Sequence, residues 1–237
     1  MRWKKLSGIL LIAWWLFDTI LKISKYGFYS WDVLWFCSII VLLAGLGLLF
    51  ENATILTGVL ASSLPMQLVW IFEYAAIVLG GTQLAWEDFS PAYLFHGGIP
   101  WFEFANTFRH FLVIPLVLAS WLSLRKESKY APLAVAGFVL FLLSISLFAS
   151  SANENINCVY ESCFKERVNP QGYALLFIVA MVVLSASIAA ALNILALHLR
   201  KIPKSVIQFW NVRINCALAV VFGILMIRGI LLYSRVG

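Results

Sequence analysis

The stretch Gly172–Leu199, GYALLFIVAMVVLSASIAAALNILALHL, contains no Asp, Glu, Lys or Arg. About 20 consecutive apolar residues are enough for an α-helix to cross the hydrocarbon core of a bilayer, which is about 30 Å thick. In that core only helices and closed barrels satisfy their own backbone hydrogen bonds. We therefore predict that this stretch is a transmembrane helix, and that other parts of the chain pack around it.

The composition and six further apolar runs extend this prediction to the whole chain. Of 237 residues, 62% are hydrophobic and 12% charged, and the mean hydropathy is +0.92. These values are typical of polytopic membrane proteins. Because the connecting segments are short, we expect a single all-α transmembrane helical bundle over residues 1–237. The seven predicted spans are Leu6–Lys22, Asp32–Phe50, Thr54–Gly80, Trp101–Leu124, Ala131–Ser150, Gly172–Leu199 and Ile207–Tyr233.

Basic residues favour one end of these spans, and this bias predicts the orientation. With the N-terminus in the cytoplasm, nine Lys and Arg residues lie at inner ends and five at outer ends, in keeping with the positive-inside rule. We therefore expect a multipass protein of the cell membrane with its N-terminus inside and its C-terminus outside. The pI of about 9.2 then reflects topology and attraction to anionic lipid, and requires no nucleic acid.

The four cysteines differ in their predicted surroundings. Cys158 and Cys163 lie in the longest predicted outer loop, in NCVYESCF, where an oxidising environment permits a disulfide. Their spacing alone does not decide whether the bridge forms. Cys37 and Cys216 lie within spans and are expected to remain thiols.

Polar side chains inside the predicted spans cluster at one depth. Each ionisable residue in a bilayer costs at least about 2.5–3.5 kcal/mol on the insertion scale, so its position is informative. At a rise of about 1.5 Å per residue, the following residues fall in the outer half: Asp18, Cys37, Glu73, Glu103, Asn106, Arg109, His110 and Arg228. A smaller inner set is expected to join spans six and seven by hydrogen bonds: Asn193, Gln208, Arg213 and Asn215.

Span four carries the densest part of the outer cluster, in EFANTFRHFLVIP, residues 103–115. Glu103, Asn106 and His110 recur at i, i+3 and i+7, which places them on one stripe of a continuous helix. Arg109 would flank this stripe. The three side chains are therefore expected to face a common partner.

One interpretation of the cluster is purely structural. The carboxylates of Asp18 and Glu73 would meet the stripe, and Arg109 and Arg228 would neutralise them in a buried network. Such a network would hold the helices together without performing chemistry.

A catalytic interpretation depends on Cys37 and His110, which lie at similar depths, so that a Cys/His pair across adjacent helices is possible. A thiol is an effective nucleophile when a base removes its proton or a cation stabilises the thiolate. His110 with Arg109 would supply both, and Asn106 or Arg109 would orient the imidazole or stabilise the developing negative charge. The alternative for Cys37 is that of a small hydrophobic residue in a helix interface.

Three segments carry a family resemblance. The run IPWFEFANTFRHFLVIP, Ile99 to Pro115, has Asn106, His110 and Pro115 at N-x3-H-x4-P spacing. Together with the proline-containing SSLPMQLVWIFEY and with LWFCSII, it resembles spans of the androgen-induced and androgen-dependent family of multipass lipid hydrolases. The resemblance covers roughly Trp31 to Ser150. It implies a helical membrane enzyme that cleaves fatty acyl esters with a threonine and a histidine.

The resemblance carries over to individual residues unevenly. His110 matches the family's histidine, but Trp35 stands at the threonine position and cannot act as a nucleophile. The related YwaF-like membrane proteins and their eukaryotic acyltransferase relatives look similar in layout and have a cysteine two positions later, which Cys37 matches. Trp35 replaces a histidine of that branch. The resemblance therefore favours Cys37 as the nucleophile, with Ser38 in reserve.

We thus expect an integral membrane lipid acyl-ester hydrolase or acyltransferase. Cys37 would attack the acyl carbonyl, and His110 would act as general base and then acid. Glu73 and Asp18 would position Arg109. The expected partner is a membrane lipid substrate; no cofactor is expected, and no metal, because the scattered potential ligands lack a metal-binding spacing. The alternative is a non-catalytic protein that binds lipid or ions, or couples transport to protons, through Asp18, Glu73, Glu103, Arg109, His110 and Arg228.

Overall fold

The computed structural model describes residues 2–26, 36–81, 91–95, 99–149, 157 and 170–236, and within these ranges it contains no β-strand. The helices are α1 (Arg2–Tyr26), α2 (Phe36–Leu49), α3 (Ala53–Gly80), α4 (Trp101–Asn106), α5 (Arg109–Leu124), α6 (Ala131–Ala149), α7 (Pro170–Leu199) and α8 (Lys204–Val236). A short 3₁₀ helix, Pro91–Phe95, precedes α4.

Six helical segments are long and apolar enough to cross a membrane, and α4 with α5 makes one of them, Trp101–Leu124. The prediction of an all-α polytopic bundle is therefore confirmed, and the protein is an integral multipass membrane protein. α2 has 14 described residues, roughly 21 Å at 1.5 Å per residue. Within the described residues it covers the predicted span Asp32–Phe50 up to Leu49; residues 32–35 lie outside the described ranges. The orientation stays a prediction from charge.

α3 is the central helix of the bundle and packs against α2, α5, α6, α7 and α8. Its core contacts with α2 and α5 are fully buried, as at Ile40, Leu56 and Val113. The indole Nε1 of Trp121 donates a hydrogen bond of 3.0 Å to the Thr57 hydroxyl, which ties α5 to α3. This packing fixes α3 as the scaffold for the side chains described below.

Glycines set the distance between α1 and α2. A Cβ atom on Gly8 would lie 2.7 Å from the carbonyl oxygen of Gly45, and one on Gly45 would lie 2.7 Å from Cγ1 of Ile12. Larger side chains do not fit at these distances, so glycine at both positions lets the two backbones approach closely, as in other membrane helix pairs. The first half of α1 is fixed by this contact.

The fourth span is interrupted at Thr107 and Phe108, between α4 and α5. The Thr107 hydroxyl donates to the Phe104 carbonyl at 2.6 Å, and the amides of His110 and Phe111 bond to carbonyls three residues earlier. The prediction of one continuous helical stripe is therefore wrong. A threonine hydroxyl that competes for a backbone carbonyl commonly bends a helix.

The contacts of Asn193, Arg213 and Asn215 also differ from the prediction. Asn193 of α7 binds both the amide and the carbonyl of Ser128, at 3.0 and 2.7 Å, and so fixes the turn before α6. Asn215 bonds to Asn211 on its own helix. Arg213 is exposed and stacks over Phe209, with 4.0 Å between its Cζ and the ring centroid. The expected bonds between Asn193 and α8 are absent from the described residues, because Asn193 is engaged by the α5–α6 connection.

Candidate functional site

A cavity of about 1000 Å³ lies in the bundle, and α1, α2, α3, α4, α5, α6 and α7 all contribute to its walls. This volume is at the upper end of the range found for small-molecule sites. α1 lines it from Leu10 to Lys25, a length of roughly 22 Å at 1.5 Å per residue. The cavity is therefore long enough for an extended molecule.

The cavity is lined by apolar side chains and by a group of charged and polar side chains. We call one set of lining residues the apolar wall: Leu10, Phe17, Leu21, Met66, Phe177 and Met181. We call the other set the polar end: Asp18, Lys22, Lys25, Cys37, Glu103, Asn106 and Arg109. Each set draws on several helices, so the division results from the tertiary fold rather than from one segment.

Asp18 of α1 is the centre of the polar end. One carboxylate oxygen accepts a bond of 2.6 Å from the amide of Asn106. The other lies 3.0 Å from Nη1 of Arg109 and 3.2 Å from Nζ of Lys22. Asp18 is buried, and a buried carboxylate requires such partners. The expectation that Asp18 positions Arg109 agrees with this geometry.

Trp14 fixes the orientation of the Asn106 amide. Its indole Nε1 donates to Oδ1 of Asn106 at 2.9 Å, so that the amide nitrogen is the atom that faces Asp18. Trp14 and Asp18 are four residues apart on α1 and lie on the same face of the helix. One helical turn of α1 therefore binds both ends of the same side chain.

Arg109 joins α1, α2 and α5 through its guanidinium. In addition to Asp18, Nη1 donates to the Ser38 hydroxyl and Nη2 to the sulfur of Cys37, each at 3.3 Å. Arg109 is buried, and its Nε finds no acceptor among the described residues. Asn106 and Arg109, three residues apart, both bind Asp18, so Arg109 occupies the middle of the cluster rather than its flank.

His110 contacts α3 rather than Cys37. Its Nδ1 lies 2.8 Å from Oε1 of Gln67, and its ring stacks on Trp70 with 4.2 Å between centroids. Among the described residues no hydrogen bond joins His110 to Cys37, whose sulfur is bound by Arg109. The cavity is lined by both residues, but the direct pair predicted from their depths is not formed. Depth does not determine the direction in which a side chain leaves its helix.

Glu103 forms an ion pair with Lys25 at the exposed rim of the cavity. Nζ of Lys25 also lies 5.7 Å from the ring centroid of Phe102. Within the described part of the chain, Glu103 thus faces α1 near the surface, whereas His110 contacts α3.

Glu73 and Arg228 are not among the residues that line the cavity. Glu73 is buried in α3, but the six residues that separate it from Gln67 rotate it by about two-thirds of a turn away from the cavity face. Arg228 is exposed on α8, because the buried positions Leu225 and Gly229 face the bundle. Neither residue contacts Arg109 within the described ranges, contrary to the expectation that they belong to one network.

Cys158 and Cys163 lie outside the described residues, as do Trp31 and Trp35. The disulfide therefore stays a prediction. Cys216 is exposed on α8 as a free thiol, and Cys37 is also free.

Sequence reasoning missed several residues of the site, above all Lys22, Trp14 and Gln67. A signal for the α1 residues was present: Trp14, Asp18, Lys22 and Lys25 recur at spacings of four, four and three, which is one face of a helix. Gln67 had no comparable signal, since an uncharged residue in an apolar run does not reveal its partner.

Comparisons with protein families, with curated proteins and with solved structures find no match to this chain. The resemblance to the multipass lipid hydrolases therefore stays a prediction.

Proposed function

We propose that the protein binds a membrane amphiphile in this cavity, with the hydrocarbon part against the apolar wall and the head group at the polar end. The observation that carries the proposal is the continuity of the two regions in one cavity of about 1000 Å³. Pockets with mostly apolar walls and a few convergent polar groups are typical binding sites. A wholly polar solute would leave the apolar wall without a partner, and a hydrocarbon would leave the charges without one.

α1 by itself shows both features that an amphiphile requires. Leu10, Phe17 and Leu21 contribute apolar surface, while Asp18 and Lys22 on the same face contribute charge. Met66 and Met181 approach from α3 and α7, and flexible thioether side chains adapt to chains of irregular shape. The cavity is thus suited to a chain that lies along α1.

Retention of lipid by the purified protein tests this proposal. The full-length protein is extracted in mild detergent, and bound lipids are quantified by native mass spectrometry. Met181→Trp fills the apolar wall, and we expect a loss of bound lipid. The matched control is Leu176→Trp on the same helix, since Leu176 is 65% exposed on the bundle surface. Equal lipid retention by both variants would exclude the cavity as the binding site.

A second candidate function is acyl transfer by Cys37, and a specific contact favours it. The sulfur lies on the cavity wall and accepts a hydrogen bond from the Arg109 guanidinium at 3.3 Å. In this proposal the sulfur attacks the carbonyl carbon of an acyl ester; the C–O bond breaks, and the alcohol leaves with a proton. Water or a second hydroxyl then attacks the thioester, which releases the acyl group and restores the thiol.

His110 would serve as the proton carrier of this reaction. Because Nδ1 is bound to Gln67, Nε2 is the nitrogen that would exchange protons with substrate or water. Since His110 and Cys37 are not hydrogen-bonded to each other, the transfer would proceed through the bound substrate or a water molecule.

Acyl-probe labelling tests the second candidate separately. We expect a thioester-forming acyl probe to label the wild type in a hydroxylamine-sensitive manner, Cys37→Ala to lose the label, and Cys216→Ala to keep it. Labelling that survives in Cys37→Ala would exclude this nucleophile, and the lipid-binding proposal would be unaffected.

A further inference from the structure

We propose that a second site, at the other end of the bundle from the polar end, binds the phosphate monoester head group of an anionic membrane lipid. The site is a pocket of about 320 Å³ between the ends of α5 and α7 and the start of α8. It shares no residue with the cavity described above, so this proposal goes beyond amphiphile binding in that cavity. The pocket is lined by Ser123, Leu124, Arg125, Arg200 and Lys204.

Two arginines of the pocket are held in place by backbone groups. Arg125 directly follows α5, and its Nη2 donates to the carbonyls of Leu199 and Ile202 at the end of α7. Nε of Arg200 donates in turn to the Arg125 carbonyl at 3.0 Å. The buried Nε of Arg125 has no acceptor among the described residues. The guanidinium groups are therefore fixed before a ligand arrives, which reduces the ordering cost of binding, and Arg125 keeps a donor available.

Positive charge exceeds negative charge at this pocket. Glu127 is the nearby carboxylate, and it lies 3.3 Å from Nη1 of Arg200. Arg125 and Lys204 have no carboxylate partner in the described part of the chain. Two of the three cations in the walls are thus left without a counter-ion among the described residues. A phosphate monoester carries a charge of about −1.5 to −2 at pH 7, which matches this excess.

The acidic residues outside the described ranges lie too far along the chain to reach the pocket. They are Asp32, Glu87, Asp88, Glu154, Glu161 and Glu166. Each lies within four positions of a described residue, Phe36, Pro91, Asn157 or Pro170, and four residues span at most about 14 Å. Phe36, Asn157 and Tyr93 of the 3₁₀ helix line the large cavity, and Pro170 begins α7. The 16 residues of α5, roughly 24 Å long, separate the polar end from the pocket.

The start of α8 adds positive potential to the pocket. Residues 200–203 are described, so α8 begins at Lys204, and the amide of Ile207 bonds to the carbonyl of Pro203. The amides of the first turn therefore have no acceptor within the helix, and this end of the helix dipole favours an anion. The carbonyls at the end of α7 would repel an anion, but two of them are bound by Arg125.

The surroundings of the pocket favour a lipid over a soluble phosphate. α5 and α7 end here and α8 begins here, and each belongs to a segment long and apolar enough to cross a membrane. Ile202 and Val206, two positions before and after Lys204, are exposed apolar side chains. An acyl chain attached to the phosphate would cover them, whereas inorganic phosphate would not. Basic pockets between transmembrane helices commonly bind phosphate head groups.

Binding of added lipid to the full-length protein in mild detergent tests this proposal, with native mass spectrometry as the measurement. The probes are phosphatidic acid, phosphatidylglycerol and phosphatidylcholine with identical acyl chains. We expect phosphatidic acid to bind best, phosphatidylglycerol less well because its diester has one negative charge, and phosphatidylcholine least. Lys204→Gln should weaken binding of phosphatidic acid by about fivefold, and Lys204→Arg should retain it.

Lys129→Gln is the matched control, because Lys129 is exposed in the connection between α5 and α6 but does not line the pocket. An equal loss in the two Gln variants, or equal binding of phosphatidic acid and phosphatidylcholine, would overturn the pocket as a phosphate site. Displacement of phosphatidic acid by an equimolar amount of inorganic phosphate would overturn the lipid as its ligand. Met181→Trp, which fills the large cavity, should leave this binding unchanged, so the result is separate from the test of amphiphile binding.

Discussion

Asp18 and Arg109 form a buried ion pair across 91 positions of the chain, with 3.0 Å between the carboxylate oxygen and Nη1. The pair joins the first helix of the bundle to α5, and both side chains are about nine-tenths buried. Because the same guanidinium also contacts α2, three helices depend on one side chain for their relative positions at the polar end of the cavity.

Removal of the Asp18 charge should destabilise the protein strongly. Asp18→Asn leaves Arg109 buried without its carboxylate, and loss of one partner of a buried pair costs about 3–5 kcal/mol. We expect a clear drop in the midpoint of thermal unfolding in detergent, followed by circular dichroism. The joint replacement of Asp18 by Leu and Arg109 by Met should recover most of the loss. Glu127→Gln, at the exposed pair with Arg200, is the control and should have little effect. A similar drop in the unfolding midpoint for Asp18→Asn and Glu127→Gln would contradict the burial of the pair between Asp18 and Arg109.

Gly229 of α8 is predicted to tolerate no side chain. A Cβ atom there would overlap the hydroxyl of Tyr74, which is fully buried in α3. We expect Gly229→Ala to lower the free energy of unfolding by about 1–3 kcal/mol. Gly223→Ala on the same helix is the control, because a Cβ at Gly223 meets nothing within 4 Å.

A second substitution isolates the cause of this effect. The Tyr74 hydroxyl has no hydrogen-bond partner among the described residues, so Tyr74→Phe should be close to neutral. Combined with Gly229→Ala it should restore part of the stability, because it removes the hydroxyl that overlaps the added Cβ, although the ring carbon Cζ still lies 2.8 Å from that Cβ. If the double variant is no more stable than Gly229→Ala, the overlap is not the cause of the destabilisation.

Gln67 should be required for the position of His110. Gln67→Leu removes the acceptor 2.8 Å from Nδ1, and a buried donor without a partner costs about 1–3 kcal/mol. The expected result is a lower unfolding midpoint together with an altered imidazole signal in the NMR spectrum of ring-labelled histidine. Gln208→Leu serves as the control at an exposed position. An unchanged signal would show that Trp70 stacking alone holds the ring.

The rate at which Cys37 reacts with a thiol reagent should show whether the reagent reaches the sulfur through the cavity. In a Cys216→Ser background, a small uncharged maleimide should alkylate Cys37 through the cavity, and Met181→Trp should slow this reaction several-fold. Leu176→Trp should leave the rate unchanged. The rate is measured by mass spectrometry of the peptide that contains Cys37, so that Cys158 and Cys163 do not contribute, and a rate insensitive to both substitutions would mean that reagents reach the sulfur by another route.

The membrane fold could be predicted from the sequence because the length of each apolar run is visible in the sequence itself. The uncharged run of α7 and the five other long segments are recognisable without knowledge of their neighbours. The depth of Asp18, Cys37, Asn106 and Arg109 was also accessible by counting residues, and these side chains do line one cavity.

The arrangement around the cavity was not accessible in the same way, because it depends on rotation about each helix axis. His110 contacts Gln67 rather than Cys37, and the apolar pattern of EFANTFRHFLVIP does not mark the interruption at Thr107 and Phe108 that precedes it. Arg228 shares a depth with the cluster, but it is exposed on α8. Depth in the bilayer therefore identified candidate site residues. Which of them line the cavity depends on how the helices pack, and this could not be predicted from the sequence.

The pairing of Asp18 with Lys22 has a consequence for how the protein is made. Translation produces α1 before α5, and the Asp18 carboxylate is made 91 positions before Arg109, so it lacks that partner while α1 is synthesised. Lys22 lies one helical turn away, at 3.2 Å, and gives the nascent helix its own counter-ion during insertion. Asp18 thus has a counter-ion on its own helix before α5 is synthesised, and the later arrival of Arg109 converts a local pair into a bridge between distant segments.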